Sequence, residues 1–435
     1  MKPRIINILA HEPDYRFKTN DPRPPVNWDT PDGNWVGIYR NEIPNKLGRE
    51  VLRYTDRFAY EVWQPDYRAD KMYWHQFEDG LIHRLFPAHQ QKEWIGIRKH
   101  TALRSPALVQ FIETYRQQHP LVINLNGDLN PLNVAIMENG RDLPILQTFR
   151  GTLHLPKTMA FKPRLNVPAT ISYLRKHQEA KRIAPHVDYI TYQNDEYYYA
   201  MVKLFNVPTA KLTSGCDFSF WYSEDQQECR RKLGLPLEKP ILFTSSLLTM
   251  RKHIDRLLEV LIQLDDSYDF LLVISGHGSD DYERYLQDIA RPLTQKGKVK
   301  FVGFLVGEEL RNYYNAADLF VNSSASEGRP VSAMKALACE TPLFSTDSGN
   351  VAERIRDNGT GLLVGAKNYN QWKEVLEQFL AGKPVKKFDR AEAEGYFDWQ
   401  KLAAQFSEIY HQLSLRYGLY ESRDRPSGRK AKTIA

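Results

Sequence analysis

The same rhythm runs through this chain twice. Short, almost unbroken apolar runs alternate with stretches of helical spacing. The first round holds RIINILA (4–10), LVINLN (121–126), PILQTF (144–149) and DYITYQ (188–193). The second holds PILFTS (240–245), DFLLVIS (269–275), VKFVGF (299–304), DLFVNS (318–323) and TPLFST (341–346), with helical patterns such as DRLLEVLIQL (255–264) and EELRNYYNAA (308–317) between them. Strands that are apolar on both sides need cover on both sides, which is the condition of a parallel sheet flanked by helices. The rhythm breaks around GCDFSFWYSEDQQECRRKLGLPLEKP (215–240). The pattern therefore predicts an α/β chain of two Rossmann-like domains, residues 1–214 and 215–396. A helix at 397–415, with no strand after it, is expected to pack across to the first domain. Residues 416–435 form a polar, basic tail, for which disorder is the expectation.

Composition excludes some classes and selects none. With 435 residues, 42% of them hydrophobic and 26% charged, each half can bury a core of its own. No run approaches the roughly eighteen apolar residues of a membrane span, and MKPRIINILAHEP lacks the apolar centre of a signal peptide. Cys216, Cys229 and Cys339 are few, odd in number and not spaced as metal ligands, which predicts a reducing, cytoplasmic setting. A net charge of +6 permits sugar nucleotides, phospholipid surfaces or nucleic acid as partners.

The stretch SEGRPVSAMKALACETPL (326–343) concentrates the chemistry. In open parallel sheets, ligands bind beyond the carboxyl ends of strands, with anions at the start of the following helix. Here a strand ends near Ser323, a small-residue loop follows, and a helix is predicted from Pro330, a residue suited to the first helical position. Val331, Met334 and Ala338 share one face, which suits packing onto the sheet. Ser324, Glu327 and the N–H groups of Val331 and Ser332 would then surround an anionic or hydroxyl-rich ligand. Glu327 also has a plainer reading, as a capping carboxylate favoured by the helix dipole. The residues alone leave both open.

With its surroundings, this stretch resembles the family 4 glycosyltransferases. Their signature is Glu-Gly, a short loop, a second Glu eight residues after the first, then Ala-Met-Ala-Cys-Gly-Thr-Pro or a close variant; this chain reads EGRPVSAMKALACETP. The likeness continues in order through SGCDFSFW (214–221), SSLLTMRKHIDRLL (245–258), ISGHG (274–278), VKFVGFLVGEELRNYYNAADLFVNSSASEG (299–328), STDSGNVAERIRDNGTGLLV (345–364) and FDWQKLAAQFSEIYHQL (397–413). It is strong over 210–415 and weaker before that. The resemblance implies the GT-B fold, two facing Rossmann-like domains, and transfer of a sugar with retention of anomeric configuration. It implies catalytic roles for Glu327 and Lys252, with donor contacts from Ser324, Gly328, Arg329, Pro330, Val331, Ser332, Lys335, Arg150, Gly151 and Gly276.

Four positions depart from the family pattern. Leu247 stands where a phosphate-binding Arg is expected, Lys335 replaces the Glu that takes ribose hydroxyls, and Arg150 replaces a His before Gly151. Glu340 occupies the family's Gly after the helix, where a left-handed cap would cost roughly 1 kcal/mol. Arg150, Lys252 and Lys335 are expected to keep the site cationic around Glu327, although a lysine cannot accept hydrogen bonds from ribose. Lys335 also has a plainer reading, as a solvated charge or an internal partner of Glu327. No metal or other cofactor is expected: Asp280 and Asp281 are adjacent rather than spaced for chelation, and are read as caps of the next helix.

For the acceptor, a glycan or a lipid-linked molecule, the sequence is less specific. The loop at 11–34 and the segment at 34–50 are expected to flank the cleft. The segment 156–182 interleaves Lys157, Lys162, Arg164, Arg175, Lys176, Lys181 and Arg182 with Phe161, Leu165 and Tyr173. It reads as a peripheral contact with an anionic membrane or as a solvated helix face. Two other classes stand beside the enzyme: a non-catalytic sugar- or nucleotide-binding protein, favoured by the altered positions, and a nucleic-acid-binding protein, for which no recognition module is present.

Overall fold

The computed structural model describes residues 1–9, 43–95, 98–127, 129–140, 142–149, 177–195, 202–212 and 214–420. The loop at 11–34, Arg150, Gly151, His154, most of the basic segment 156–182 and the tail from 421 lie outside the described residues. The chain divides into two compact units. One takes Met1–Leu212 together with the chain from Leu402 on, and the other takes Thr213–Lys401. Both are Rossmann-like. Among the described residues, no helix is long and apolar enough to cross a membrane.

The first unit is built on β1 (Arg4–Leu9), β2 (Ala59–Asp66), β3 (Tyr73–Gln76), β4 (Ile82–Pro87), β7 (Leu121–Asn126), β8 (Ile145–Thr148), β9 (Tyr189–Tyr192) and β10 (Thr209–Lys211). They lie in the order β10-β9-β8-β7-β1-β2-β4-β3, all parallel except β3. An antiparallel hairpin, β5 (His89–Ile95) and β6 (Arg98–Arg104), stands apart from this sheet. Helices α1 (Ile43–Tyr54), α2 (Pro106–Tyr115) and α3 (Pro131–Asn139) connect the strands, the latter two opened by Ser105 and Asn130, whose side chains accept from Leu108 N and Asn133 N. Strands β1, β7, β8 and β9 coincide with apolar runs. Strand β2 does not, because it buries Glu61 and Gln64. Glu61 is accommodated by four donors: Arg4 at 2.7 Å, Arg84 at 2.7 Å, Trp63 Nε1 at 2.9 Å and the Tyr115 hydroxyl at 2.6 Å. Burial would raise its carboxyl, but Arg84, Tyr115 and Trp63 bring it below the ordinary value.

The second unit is a fully parallel sheet in the order β13-β12-β11-β14-β15-β16, made of β11 (Ile241–Ser245), β12 (Leu271–Ser275), β13 (Val299–Gly303), β14 (Leu319–Asn322), β15 (Leu343–Thr346) and β16 (Leu362–Val364). Alternate residues feed two cores. Leu242, Leu272, Ile274, Leu319, Val321 and Phe344 pack with α5 (Ile254–Ile262), α6 (Asp280–Gln295) and α10 (Tyr369–Leu380). Ile241, Phe243, Val273, Phe320 and Leu343 pack with α4 (Gln226–Leu233), α7 (Gly307–Ala316), α8 (Val331–Ala338), α9 (Gly349–Asn358) and α11 (Arg390–Phe397). This two-sided cover is why the strands read as unbroken apolar runs. Ser279, not Asp280 or Asp281, caps α6: its hydroxyl accepts from Tyr282 N, and the two aspartates occupy the first turn.

The last long helix, α12 (Trp399–Arg416), belongs to the first unit from Leu402 onward. There the Tyr410 hydroxyl accepts from Asn124 Nδ2 at 2.8 Å, and its ring meets Phe58 and Tyr60 edge-on. The division thus falls at 212/213 and 401/402 rather than at 214/215 and 396/397.

Helix α8 ends in a Schellman motif, with Thr341 N donating to Ala336 O at 2.9 Å and Glu340 N to Leu337 O at 3.1 Å. The motif places Glu340 at φ 56°, in the left-handed region. We expect Glu340→Gly to stabilise the protein by about 1 kcal/mol, read as a higher midpoint in urea unfolding. An unchanged or lower midpoint would mean that the Glu340 side chain offsets the strain.

Candidate active site

The strand order of the second unit reverses at β11. Strands β12 and β13 extend to one side of it, β14 to β16 to the other. Such a switch point leaves a crevice at the carboxyl ends of the two central strands. Because β11 and β14 are direct neighbours, with Leu242 opposite Leu319 and Phe243 opposite Phe320, the loops that follow them emerge side by side. Four hydrogen bonds stitch those loops together. Ala325 N donates to Arg251 O (2.8 Å), Ser323 Oγ to Lys252 O (2.7 Å), Arg251 Nη1 to Ser326 O (2.8 Å) and Lys252 Nζ to Glu327 Oε1 (2.5 Å).

Local backbone geometry aims these side chains. A 3₁₀ turn over Met250–Lys252 ends at His253, which sits at φ 51°, directly before α5, with its ring against Tyr369 and Trp372. A left-handed histidine costs roughly 1–2 kcal/mol, so the packing around the ring holds a turn that the local sequence does not favour. On the other side, the end of β15 and the start of α9 press onto the backbone between Ser324 and Gly328: Asn350 N donates to Gly328 O at 3.1 Å, and Thr346 Oγ1 to Ser324 O at 2.6 Å. A Cβ added to Gly349, at φ 80°, would stand 3.0 Å from Glu327 O and 3.1 Å from Gly328 O, so glycine is required there for close approach.

Glu327 is 7% exposed. Burial alone would raise its carboxyl, but the charges of Lys252 and Arg251, with hydrogen bonds to Lys252 and Ser324, hold it below the ordinary value. Arg251 Nη1 lies 3.3 Å from the same oxygen that Lys252 engages. The result is an ionised, nearly buried carboxylate at the mouth of α8, whose first N–H groups have no carbonyl partner inside the helix.

Other residues expected at the site fall as follows. Gly328 is buried and Arg329 half-buried in the loop leading to α8; Pro330 is the residue before the helix, and Val331 and Ser332 form its first turn, so the helix starts one residue later than the sequence predicts. Gly276 follows β12 at φ 145°, where a Cβ would meet Ser246 O at 1.8 Å; it lets the ends of β12 and β11 close on each other. Lys335 is placed over the Trp221 ring, 4.4 Å from its centroid. Trp221 is fixed in turn by Arg390, which donates to Trp221 O at 2.9 Å, to Phe218 O at 2.7 Å and to Ala338 O. Leu247 is 38% exposed. Among the described residues, no group of three or more His, Cys, Asp or Glu is placed to hold a metal ion. Arg251 and Gly349 belong to the site and were missed in the sequence. Adjacency to Lys252 was a usable signal for the first, and the Ser-Gly-Asn turn for the second.

Residues 225–396 match the family model described as glycosyl transferases group 1. The chain is 26% identical over 191 residues to an uncharacterized glycosyltransferase of Methanocaldococcus jannaschii, covering 43% of this chain and 48% of that one. It is 29% identical over 193 residues to the D-inositol 3-phosphate glycosyltransferase of Corynebacterium aurimucosum, covering 42% and 46%. It thus spans about half the length of the curated relatives it matches. Among solved structures, sucrose-phosphate synthase from Thermosynechococcus elongatus superposes with a TM-score of 0.67 at 16% identity, over 95% of this chain and all of that one. Anabaena HepE in complex with UDP gives 0.62 at 15% identity, over 95% and 100%. The fold is that of the GT-B glycosyltransferases.

The ion pair has a signature in pH. A carboxyl lowered by folding contributes stability that is fully present above its unfolded value, near 4.5, and lost as pH falls through the folded value. In Lys252→Met the carboxylate loses its nearest cation, and burial then favours the protonated form. We expect the variant to lose roughly 1–3 kcal/mol at about pH 7, and clearly less at about pH 4, in urea unfolding of both proteins. A deficit that stays the same at the two pH values would assign the loss to packing instead of charge.

Proposed function

We propose that this chain is a retaining glycosyltransferase of family 4 that moves a sugar from a nucleotide-diphosphate donor to a glycan or lipid-linked acceptor. The observation that carries this reading is the ionised Glu327, held by Lys252 at 2.5 Å where α8 begins, at the switch point of a parallel sheet. The match of residues 225–396 to the group 1 glycosyl transferases supports it. So do the structural neighbour bound to UDP and a second structure of that neighbour bound to UDP-glucose.

In this reading Glu327 accepts hydrogen bonds from hydroxyls of the donor sugar, and the first-turn N–H groups of Val331 and Ser332 face the diphosphate with Lys252. The bond between the anomeric carbon and the diphosphate oxygen breaks, and the electron pair leaves with the diphosphate. The acceptor oxygen bonds to the anomeric carbon on the same face, and its proton passes to the departing diphosphate. No dedicated nucleophile is needed. Catalysis comes from positioning and from stabilising the charge of the leaving group, with side chains and helix N–H groups in place of a metal. Lys335, resting on Trp221, cannot accept from ribose hydroxyls, so the nucleoside is held differently from the family pattern.

A second reading, a protein that binds sugar nucleotides without turning them over, is favoured by Leu247 and Lys335 at the positions of the phosphate Arg and the ribose Glu. Incubation with a panel of nucleotide sugars and acceptors separates the two. We expect transfer or donor hydrolysis that survives EDTA and drops by at least about 100-fold in Glu327→Ala, with the circular dichroism spectrum unchanged. Binding without turnover across the panel would favour the second reading, and near-normal turnover in Glu327→Ala would remove the carboxylate from the mechanism.

A further inference from the structure

A residue that the family signature leaves unassigned adds a positive charge beside the Lys252–Glu327 pair. Glu327 carries one negative charge, and Lys252, at 2.5 Å, neutralises it. That pair alone gives an incoming diphosphate no net attraction. Position 247, where a second cation is expected, holds a leucine. Arg251 stands beside the pair instead. Its backbone is pinned by Ala325 N, and its Nη1 is anchored on Ser326 O at 2.8 Å and lies 3.3 Å from Glu327 Oε1.

Two comparisons separate its task from that of Lys252. The Arg251 side chain is 40% exposed against 13% for Lys252, and its approach to Glu327 is 0.8 Å longer, 3.3 against 2.5 Å. Lys252 lies deeper and closer to the carboxylate, whereas Arg251 adds a positive charge that is open to solvent. A guanidinium has five donors in a planar fork that matches phosphate oxygens two at a time. With Nη1 fixed to the protein, the fork is oriented in advance and loses less freedom when it binds.

We propose that Arg251 is the second diphosphate-binding cation of this site, doing from the 3₁₀ turn what position 247 cannot do. The inference rests on the glycosyltransferase reading and adds to it a residue that the family signature does not name.

Isothermal titration of the full chain with UDP, GDP and ADP identifies the diphosphate that binds; the matching nucleoside, without phosphate, is the control. We expect Arg251→Ala to weaken the diphosphate by about 10- to 100-fold and to leave the nucleoside unchanged. Arg251→Gln keeps a donor for Ser326 O but not the charge, and should lose diphosphate affinity as the alanine variant does. Undiminished diphosphate binding in the glutamine variant overturns the proposal alone, as does an equal loss for nucleoside and diphosphate in the alanine variant, which would make Arg251 a loop latch. Failure of the unaltered protein to bind any of the three diphosphates overturns the glycosyltransferase reading together with it.

Discussion

One charge-assisted hydrogen bond, from Lys252 to Glu327, fixes what the second unit can do. It spans two loops that are distant in sequence and adjacent in space only because β11 and β14 pair at the centre of the sheet. Without the cation, the Glu327 carboxylate would be driven toward its neutral form by burial; with it, the site keeps a fixed negative charge beside a helix start that favours anions. Under the proposed function, that combination of signs is what would let sugar hydroxyls and a diphosphate be held side by side.

The surrounding structure keeps this geometry at a cost. His253 is left-handed immediately after Lys252, and Gly276 and Gly349 admit backbone approaches that no side chain would allow. Glu340, at the far end of α8, is strained without touching the site, and its left-handed backbone follows from the helix cap. Strain held next to a functional group is common where a side chain must be aimed. Here it falls on the turn that carries Arg251 and Lys252.

Much of this was legible in the sequence, and the failures have physical causes. The second unit reads cleanly because its central strands are apolar on both faces; β16, only three residues long, left no run to detect. The first unit reads less well. Strand β2 hides Glu61 under four donors that come from β1, β4, α2 and its own Trp63, and no local pattern announces such a network. At the site, Ser324 and Glu327 were legible in the strand–loop–helix pattern and Lys252 through the family resemblance, and the three lie together. Lys335, expected to line the cleft with Arg150 or else to be a solvated charge or a partner of Glu327, lies over Trp221, a residue more than a hundred positions earlier that Arg390 holds in place and that no local pattern points to. Arg251 went unnoticed because its anchor, Ser326 O, lies on the neighbouring loop, and only its adjacency to Lys252 hinted at it.

The central claim is that the start of α8, with Lys252 and Glu327, receives a diphosphate-linked sugar. A crystal structure of the chain soaked with a nucleotide sugar tests it most directly. The account predicts phosphate density within hydrogen-bonding distance of Lys252 and of the first N–H groups of α8, with sugar hydroxyls on Glu327. A nucleotide bound elsewhere, with the Lys252–Glu327 pair untouched, would contradict it.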